Sequence, residues 1–238
     1  MPWRRISDET KLSQGRGTGR YENYKPWIRF AETGSDGTGG IQPDWKTGRG
    51  VQCLSRGELL AWALLRWEKD VDDIMEQYPL MRLDITNEIA RRLKCRPSNN
   101  GLTRMTTDFI VVRSGQRVEA YSIKASRDVV EDREGDDQKV LKVKKRIRQL
   151  QMIEQIYWES QGVAWKQWFT DEMDRQKALN ILDVISRYKW EPPMDDFAII
   201  RYLIAHRIIE VNMSEKIEYR RLIDSLKGSK IWKTLKAS

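Results

Sequence analysis

Apolar positions along the chain fall into runs of two periods, and their order outlines a mixed α/β domain followed by a helical one. Over residues 55–70, Leu59, Leu60, Ala63, Leu64 and Trp67 recur at the three-to-four spacing of a helix with one apolar face. Ser55 is a good N-cap, and Glu58 three residues on completes the Ser-x-x-Glu pattern of a capping box. Residues 74–80 read as a short extended segment ending at Pro79. Residues 105–113 and 117–124 are β-branched and aromatic runs around Ser114-Gly-Gln, which predicts a β-hairpin. Helical spacing returns over 140–160 through Val143, Ile147, Leu150 and Tyr157, and 163–169 reads as another strand. Helix, hairpin, helix and strand in that order make a mixed α/β domain.

Beyond residue 170 the texture changes. Helical patterns over 171–188 and 195–206 are separated by Glu191-Pro-Pro193, which breaks them. Residues 208–213 suggest a short strand, 214–226 a helix capped by Ser214, and 227–238 a basic end. Residues 1–50 are rich in Gly, Arg and aromatics, including a glycine-rich patch over 34–40, and suggest an extended arm able to lie along something larger. The expected division is therefore an arm (1–50), an α/β domain (51–170) and a small, mostly helical, winged-helix-like C-terminal domain (171–238).

Composition narrows the chemistry. The 238 residues are 39% hydrophobic with ten tryptophans, enough for a substantial core. A net charge of +8 and a pI near 9.4 suit a polyanionic partner, nucleic acid first. Cys53 and Cys95 belong to no Cys-x-x-Cys motif and His206 is the only histidine. That argues against a Cys/His zinc site and against any Ser-His or Cys-His dyad not using His206. Catalysis would have to come from carboxylates, lysine and a hard cation. No apolar run approaches the roughly 18 residues of a membrane span. Met1-Pro-Trp-Arg-Arg leads into no signal-like stretch either, so a soluble cytoplasmic protein with no membrane association is expected.

The hairpin holds the leading candidates. With a three-residue turn, Arg113 opposes Arg117 and Asp108 opposes Ser122, so that Asp108, Ser122 and Lys124 share a face. An Asp and a Lys projecting together suit metal-assisted phosphodiester hydrolysis: the carboxylate holds an ion, and the lysine orients water or offsets charge. Glu58 offers a second carboxylate, although a capping-box Glu is commonly only a cap. Glu154 falls on the apolar stripe of its helix, where it must either join the site or pair with a cation such as Lys124.

A family resemblance joins these residues. Gly15-Arg-Gly-Thr-Gly, Tyr24-Lys-Pro-Trp27, Lys46-Thr-Gly-Arg49, Leu54-Ser-Arg-Gly-Glu58, Asp73-Ile-Met-Glu-Gln-Tyr-Pro-Leu80, Thr107-Asp-Phe-Ile-Val111 and Ile123-Lys124 resemble, in order and spacing, the motifs of the TnsA family. Glu154-Gln-Ile-Tyr-Trp158 and Trp168-Phe-Thr-Asp171 extend the likeness, which covers roughly residues 12–172. TnsA proteins are endonuclease subunits of heteromeric cut-and-paste transposases. The resemblance implies a restriction-endonuclease-like PD-(D/E)xK fold, a mixed sheet flanked by helices. It implies Mg²⁺, with Mn²⁺ able to substitute, and hydrolysis of the 5′ strand of double-stranded DNA at transposon ends. The implied partners are the DDE-type transposase TnsB and the AAA+ ATPase TnsC, the latter docking on the C-terminal region, in a bacterial cytoplasm. Glu58 and Asp108 would bind metal, Lys124 would be the catalytic lysine, and Glu154 a fourth member of the site. Ser122 departs from the pattern, standing where some relatives have Gln and restriction enzymes Glu or Asp. The ion is then expected to rely on Asp108 and the Ile123 carbonyl, with Ser122 acting through water or not at all.

Arg16 and Arg20 of the arm and Lys144, Lys145 and Arg148 of the 140–160 helix are the candidate phosphate contacts. Gln77-Tyr-Pro79 is expected to shape the floor of the site. A free-standing restriction-type endonuclease and a non-catalytic assembly subunit are the alternative readings.

Overall fold

The computed structural model describes residues 6–33 and 39–236. The first five residues, most of the 34–40 glycine patch and the last two residues of the basic end lie outside them. The chain divides into two compact units, Met1–Met173 and Asp174–Ser238.

In the first unit, α1 (Asp8–Ser13) is followed by single 3₁₀ turns at Tyr21–Asn23 and Phe30–Glu32. An antiparallel ribbon comes next, β1 (Gly40–Pro43) with β2 (Gly50–Cys53), leading into helix α2 (Arg56–Trp67). Then come β3 (Val71–Pro79), α3 (Leu83–Arg92), β4 (Thr106–Arg113), β5 (Arg117–Lys124), α4 (Gln138–Glu159) and β6 (Ala164–Phe169). The central sheet has the order β3-β4-β5-β6. Its first three strands are antiparallel, and β6 returns parallel to β5 through α4. Met75, Ile110, Val112 and Ala120 form one core with Ile89 and Ala90 of α3 and Ile153, Tyr157 and Trp158 of α4. α2 packs against β3, β5 and the ribbon, with Leu60, Trp62 and Leu65 buried.

The hairpin has the expected register, with Arg113 opposite Arg117. Arg113 anchors it: the guanidinium donates to Glu119 (2.6 Å), Glu68 (2.5 Å) and Asp70 (2.9 Å). Against the burial that would raise it, Lys166, Arg113 and Tyr121 hold the Glu119 carboxyl down at about 2.

Three elements escaped the sequence reading: the ribbon, α3 and the order of the N-terminal segment. α3 buries only Thr86, Ile89 and Ala90, so its apolar stripe is narrow, and Ile85 is half-buried.

The arm requires correction. Residues 6–33 do not extend away but pack along β3. Tyr24 donates its hydroxyl to the Glu76 carbonyl (2.9 Å) and stacks on Tyr78, and Trp27 N–H donates to the Gln77 carbonyl (3.2 Å). Arg20 binds Asp73 at 2.8 Å, and Arg16, 1% exposed, grips Glu32 with two bonds of 2.7 Å. Among the described glycines of this segment, Gly15, Gly17 and Gly19 take positive φ in tight turns. Gly17 has φ +75°, and a Cβ there would lie 2.4 Å from the Pro79 ring. Gly17→Ala is expected to destabilise the unit by about 2 kcal/mol through strain and overpacking, read as a lower urea midpoint.

The second unit is helical: α5 (Arg175–Ile185), α6 (Asp196–Ala205), α7 (Tyr219–Leu226) and α8 (Lys230–Lys236). The strand expected over 208–213 does not form. The Asn180 side chain takes the carbonyls of Met213 (2.8 Å) and Glu215 (2.6 Å), and the described residues of this unit include no strand to pair with. α7 starts later than expected, Ser214 is not its cap, and the winged-helix likeness is reduced to its helices. The imidazole of His206 meets the Tyr188 carbonyl at 2.7 Å and stacks on that ring, a structural role. No helix among the described residues is long and apolar enough to cross a membrane.

Candidate functional site

Glu58 enters from the first turn of α2 and does act as part of the cap. Its N–H donates to Ser55 Oγ (3.1 Å), while its carboxylate accepts from the Ser55 hydroxyl (3.0 Å) and from Leu54 N–H (2.9 Å). A further donor is Gln77 Nε2 of β3, at 3.1 Å. Glu58 is 8% exposed. Burial and then the charge of Asp108 push its carboxyl up to about 7, against the pull of those three donors.

Asp108 stands where the β4–β5 ladder stops. The last paired residues are Phe109 and Tyr121. One residue further on, the Asp108 carboxylate accepts the Ile123 N–H at 2.6 Å, taking the role a strand carbonyl would otherwise play. Burial raises this carboxyl, while Lys124, the Ile123 N–H and Gln77 oppose the rise. The Lys124 ammonium donates to the Ile123 carbonyl (3.0 Å) and lies 3.4 Å from Ser122 Oγ.

Glu154 projects from α4. Thr107 donates to it at 2.8 Å, and Thr107 in turn accepts the indole N–H of Trp158 at 2.5 Å. Burial, then the charge of Asp108, lifts its carboxyl to about 7, with Thr107 and Lys124 pulling the other way. Of the two roles the sequence left open for Glu154, the direct pair with Lys124 is not formed among the described contacts. Lys124 acts on it through its field.

Glu58, Asp108, Ser122, Ile123, Lys124 and Glu154 are thus gathered at one end of the sheet. The candidate phosphate contacts are not. Arg16 and Arg20 are bound to Glu32 and Asp73, Lys144 is buried against Asp136 (2.6 Å), and Arg148 binds Asp132 (2.7 Å). Lys145 is exposed, and with exposed Lys139 and Lys142 it follows a ridge of α4.

Gln77, which the sequence places only at the floor of the site, is 2% exposed, donates to Glu58 and opposes the rise of the Asp108 carboxyl. Two further polar residues escaped the sequence reading. Gln167 sits beside Ser122 in the β5–β6 register, and its buried amide nitrogen has no protein partner; the same is true of Gln151, one turn before Glu154. A glutamine inside an apolar strand or helix is the one signal that could have marked them, because burial without a partner is costly.

Residues 68–170, which carry Asp108, Lys124 and Glu154, match the family described as TnsA-like endonuclease N terminal. Over 157 residues, 65% of the chain, the sequence is 30% identical to the transposon Tn7 transposition protein TnsA of Escherichia coli. Both likenesses are to TnsA proteins. It spans about half the length of that relative, 53%. The mixed sheet between α2 and α3/α4 is consistent with a restriction-endonuclease-like fold, and residues 68–170 are similar to a TnsA-like endonuclease domain.

Proposed function

We propose that this protein is a member of the TnsA family and a metal-dependent DNA endonuclease subunit that hydrolyses the 5′ strand at transposon ends within a multi-protein transposition complex. The observation that carries the proposal is the approach of buried Glu58 and half-buried Asp108, the charge of Asp108 raising the proton affinity of Glu58, next to Lys124. Two carboxylates so placed gain from a cation between them.

The donor set fits a hard cation. Among the described residues no group of three His, Cys, Asp or Glu side chains is placed to hold an ion, so the ligands would be the two carboxylates with neutral oxygens, the Ile123 carbonyl and, more weakly, the Ser122 hydroxyl. An all-oxygen set of this kind suits Mg²⁺ or Mn²⁺ and not zinc. When bound, such an ion polarises the scissile phosphate and acidifies a water.

The chain's own side chains supply the rest. Lys124, at 3.0 Å from the Ile123 carbonyl, holds a positive charge where negative charge develops on the phosphate and orients the attacking water. Glu154, locked by Thr107 and Trp158, is a positioning residue that acts through the field it shares with Asp108 and Lys124. Lys139, Lys142 and Lys145 neutralise backbone phosphates, which replaces the larger set expected from sequence. End recognition and activation come from a DDE-type transposase and an AAA+ ATPase, in the cytoplasm of a bacterium.

The test is a reconstituted reaction with those partners on transposon-end DNA, each strand labelled separately. Leaving this chain out should reduce 5′-strand cuts to background, at least about 10²-fold, while 3′ cuts persist. Site-specific cutting of plain plasmid by the chain alone would instead identify a free-standing nuclease.

A further inference from the structure

A non-glycine residue at positive φ inside a strand is strained, and in β3 that residue is Gln77, at φ +48°. Its surroundings hold it there. Trp27 N–H takes its carbonyl, Tyr24 takes the carbonyl of Glu76, and Tyr24 stacks on Tyr78. The side chain is 2% exposed and its polar capacity is spent within the site. Nε2 donates to Glu58 Oε2 at 3.1 Å and Oε1 accepts the Thr106 hydroxyl at 3.3 Å, while the amide also acts on Asp108, opposing the rise of its carboxyl. The NH₂ end faces Glu58, and because one amide nitrogen carries two N–H bonds, the second is available to Asp108.

We infer that Gln77 is the positioning residue of the site, its carboxamide bridging Glu58 and Asp108 and setting their separation for a divalent cation. This rests on the metal-dependent reading above. The two carboxylates lie on different elements, the first turn of α2 and the end of β4, and the described bonds include no direct one between them. Gln77 is bonded to the first and lowers the proton affinity of the second. The strained backbone is what delivers an amide to that point, and the N-terminal segment maintains the strain.

Two substitutions separate this role from a backbone role. Asn and Gly both accept positive φ more readily than Gln, so Gln77→Asn and Gln77→Gly suit the strand, whereas neither can span the two carboxylates. Mn²⁺ binding to the full chain is titrated by electron paramagnetic resonance, with folding followed by circular dichroism melts. The expected result is a cooperative melt in at least one variant, with Mn²⁺ bound about 10–100-fold more weakly than by the wild type, as for loss of a ligand-orienting hydrogen bond. Wild-type Mn²⁺ affinity in a folded variant would overturn the inference and leave the nuclease reading standing. Failure of both variants to fold would assign Gln77 to the fold alone and also overturn it. If the wild type shows no Mn²⁺ binding that Asp108→Ala removes, the metal-dependent reading itself falls, and this inference with it.

Discussion

Alanine at Asp108 or at Lys124 is expected to lower 5′-strand cleavage in the reconstituted reaction by about 10³-fold, with 3′ cleavage and joining unchanged. The two substitutions reach that result by different routes. Asp108→Ala removes an anionic oxygen and also leaves the Ile123 N–H without its 2.6 Å acceptor, so both the cation site and the end of β5 suffer. Lys124→Ala leaves the carboxylates in place and removes only the positive charge beside them. Cation binding should therefore collapse in the first variant and survive in the second, and comparing Mn²⁺ titrations distinguishes them. With one strand uncut at each end the donor stays attached, so the products should shift from simple insertions to cointegrates, visible on a native gel. Unchanged 5′ cutting by either variant would remove the catalytic role assigned here and favour a non-catalytic assembly subunit.

A large pH effect on stability is expected without metal. Glu58 and Glu154 each have a folded carboxyl near 7, against 4.5 for an ordinary glutamate. Between those values the folded state holds protons that the unfolded chain has released, so stability falls as pH rises through this window and levels off above about 7. The shift corresponds to a cost on the order of 3 kcal/mol per group at neutral pH, and the two costs overlap because both feel Asp108. Against a typical total of about 5–15 kcal/mol this is substantial. Urea melts in EDTA should show stability declining from pH 5 to pH 7.5, with Glu154→Gln flattening the curve. Added Mn²⁺ should recover stability at pH 7.5 by binding only the folded chain. Stability rising with pH across that window would contradict the placement of these carboxyls. Glu119, held at about 2, works in the opposite direction, and its contribution is lost only as pH falls well below 4.5.

What could be read from the sequence, and what could not, divides along the distance between interacting residues. The cap of α2 and the register of the hairpin are local, and Ser55-x-x-Glu58 and the turn at Ser114-Gly-Gln carried them. Where β4 and β5 cease to pair is not local. It depends on Asp108 capturing the Ile123 N–H, which alternation alone does not encode. Arg16 and Arg20 were misjudged for the same reason: in a Gly-rich stretch an arginine looks like a hand for DNA, and only the fold reveals Glu32 and Asp73 as its partners. Lys144 and Arg148 likewise find acids in the loop before α4, leaving Lys139, Lys142 and Lys145 outward. Gln77 could be marked as belonging to the floor of the site, but its bond to Glu58, 19 positions before it, required coordinates.

The packing of residues 6–33 against β3 also sets the smallest piece of this protein that can work. A fragment trimmed to 51–170, the span that sequence pattern and charge would select, loses the Trp27 N–H from the Gln77 carbonyl and Tyr24 from its stack on Tyr78. It also loses the Arg49 guanidinium, which binds Glu76 at 2.6 Å. β3 would keep its pairing to β4 while its other flank opened to water. Such a fragment retains every carboxylate and lysine of the candidate site and lacks the segment that holds β3 beneath it, so residues 6–33 and Arg49 belong to this α/β unit as much as the hairpin does.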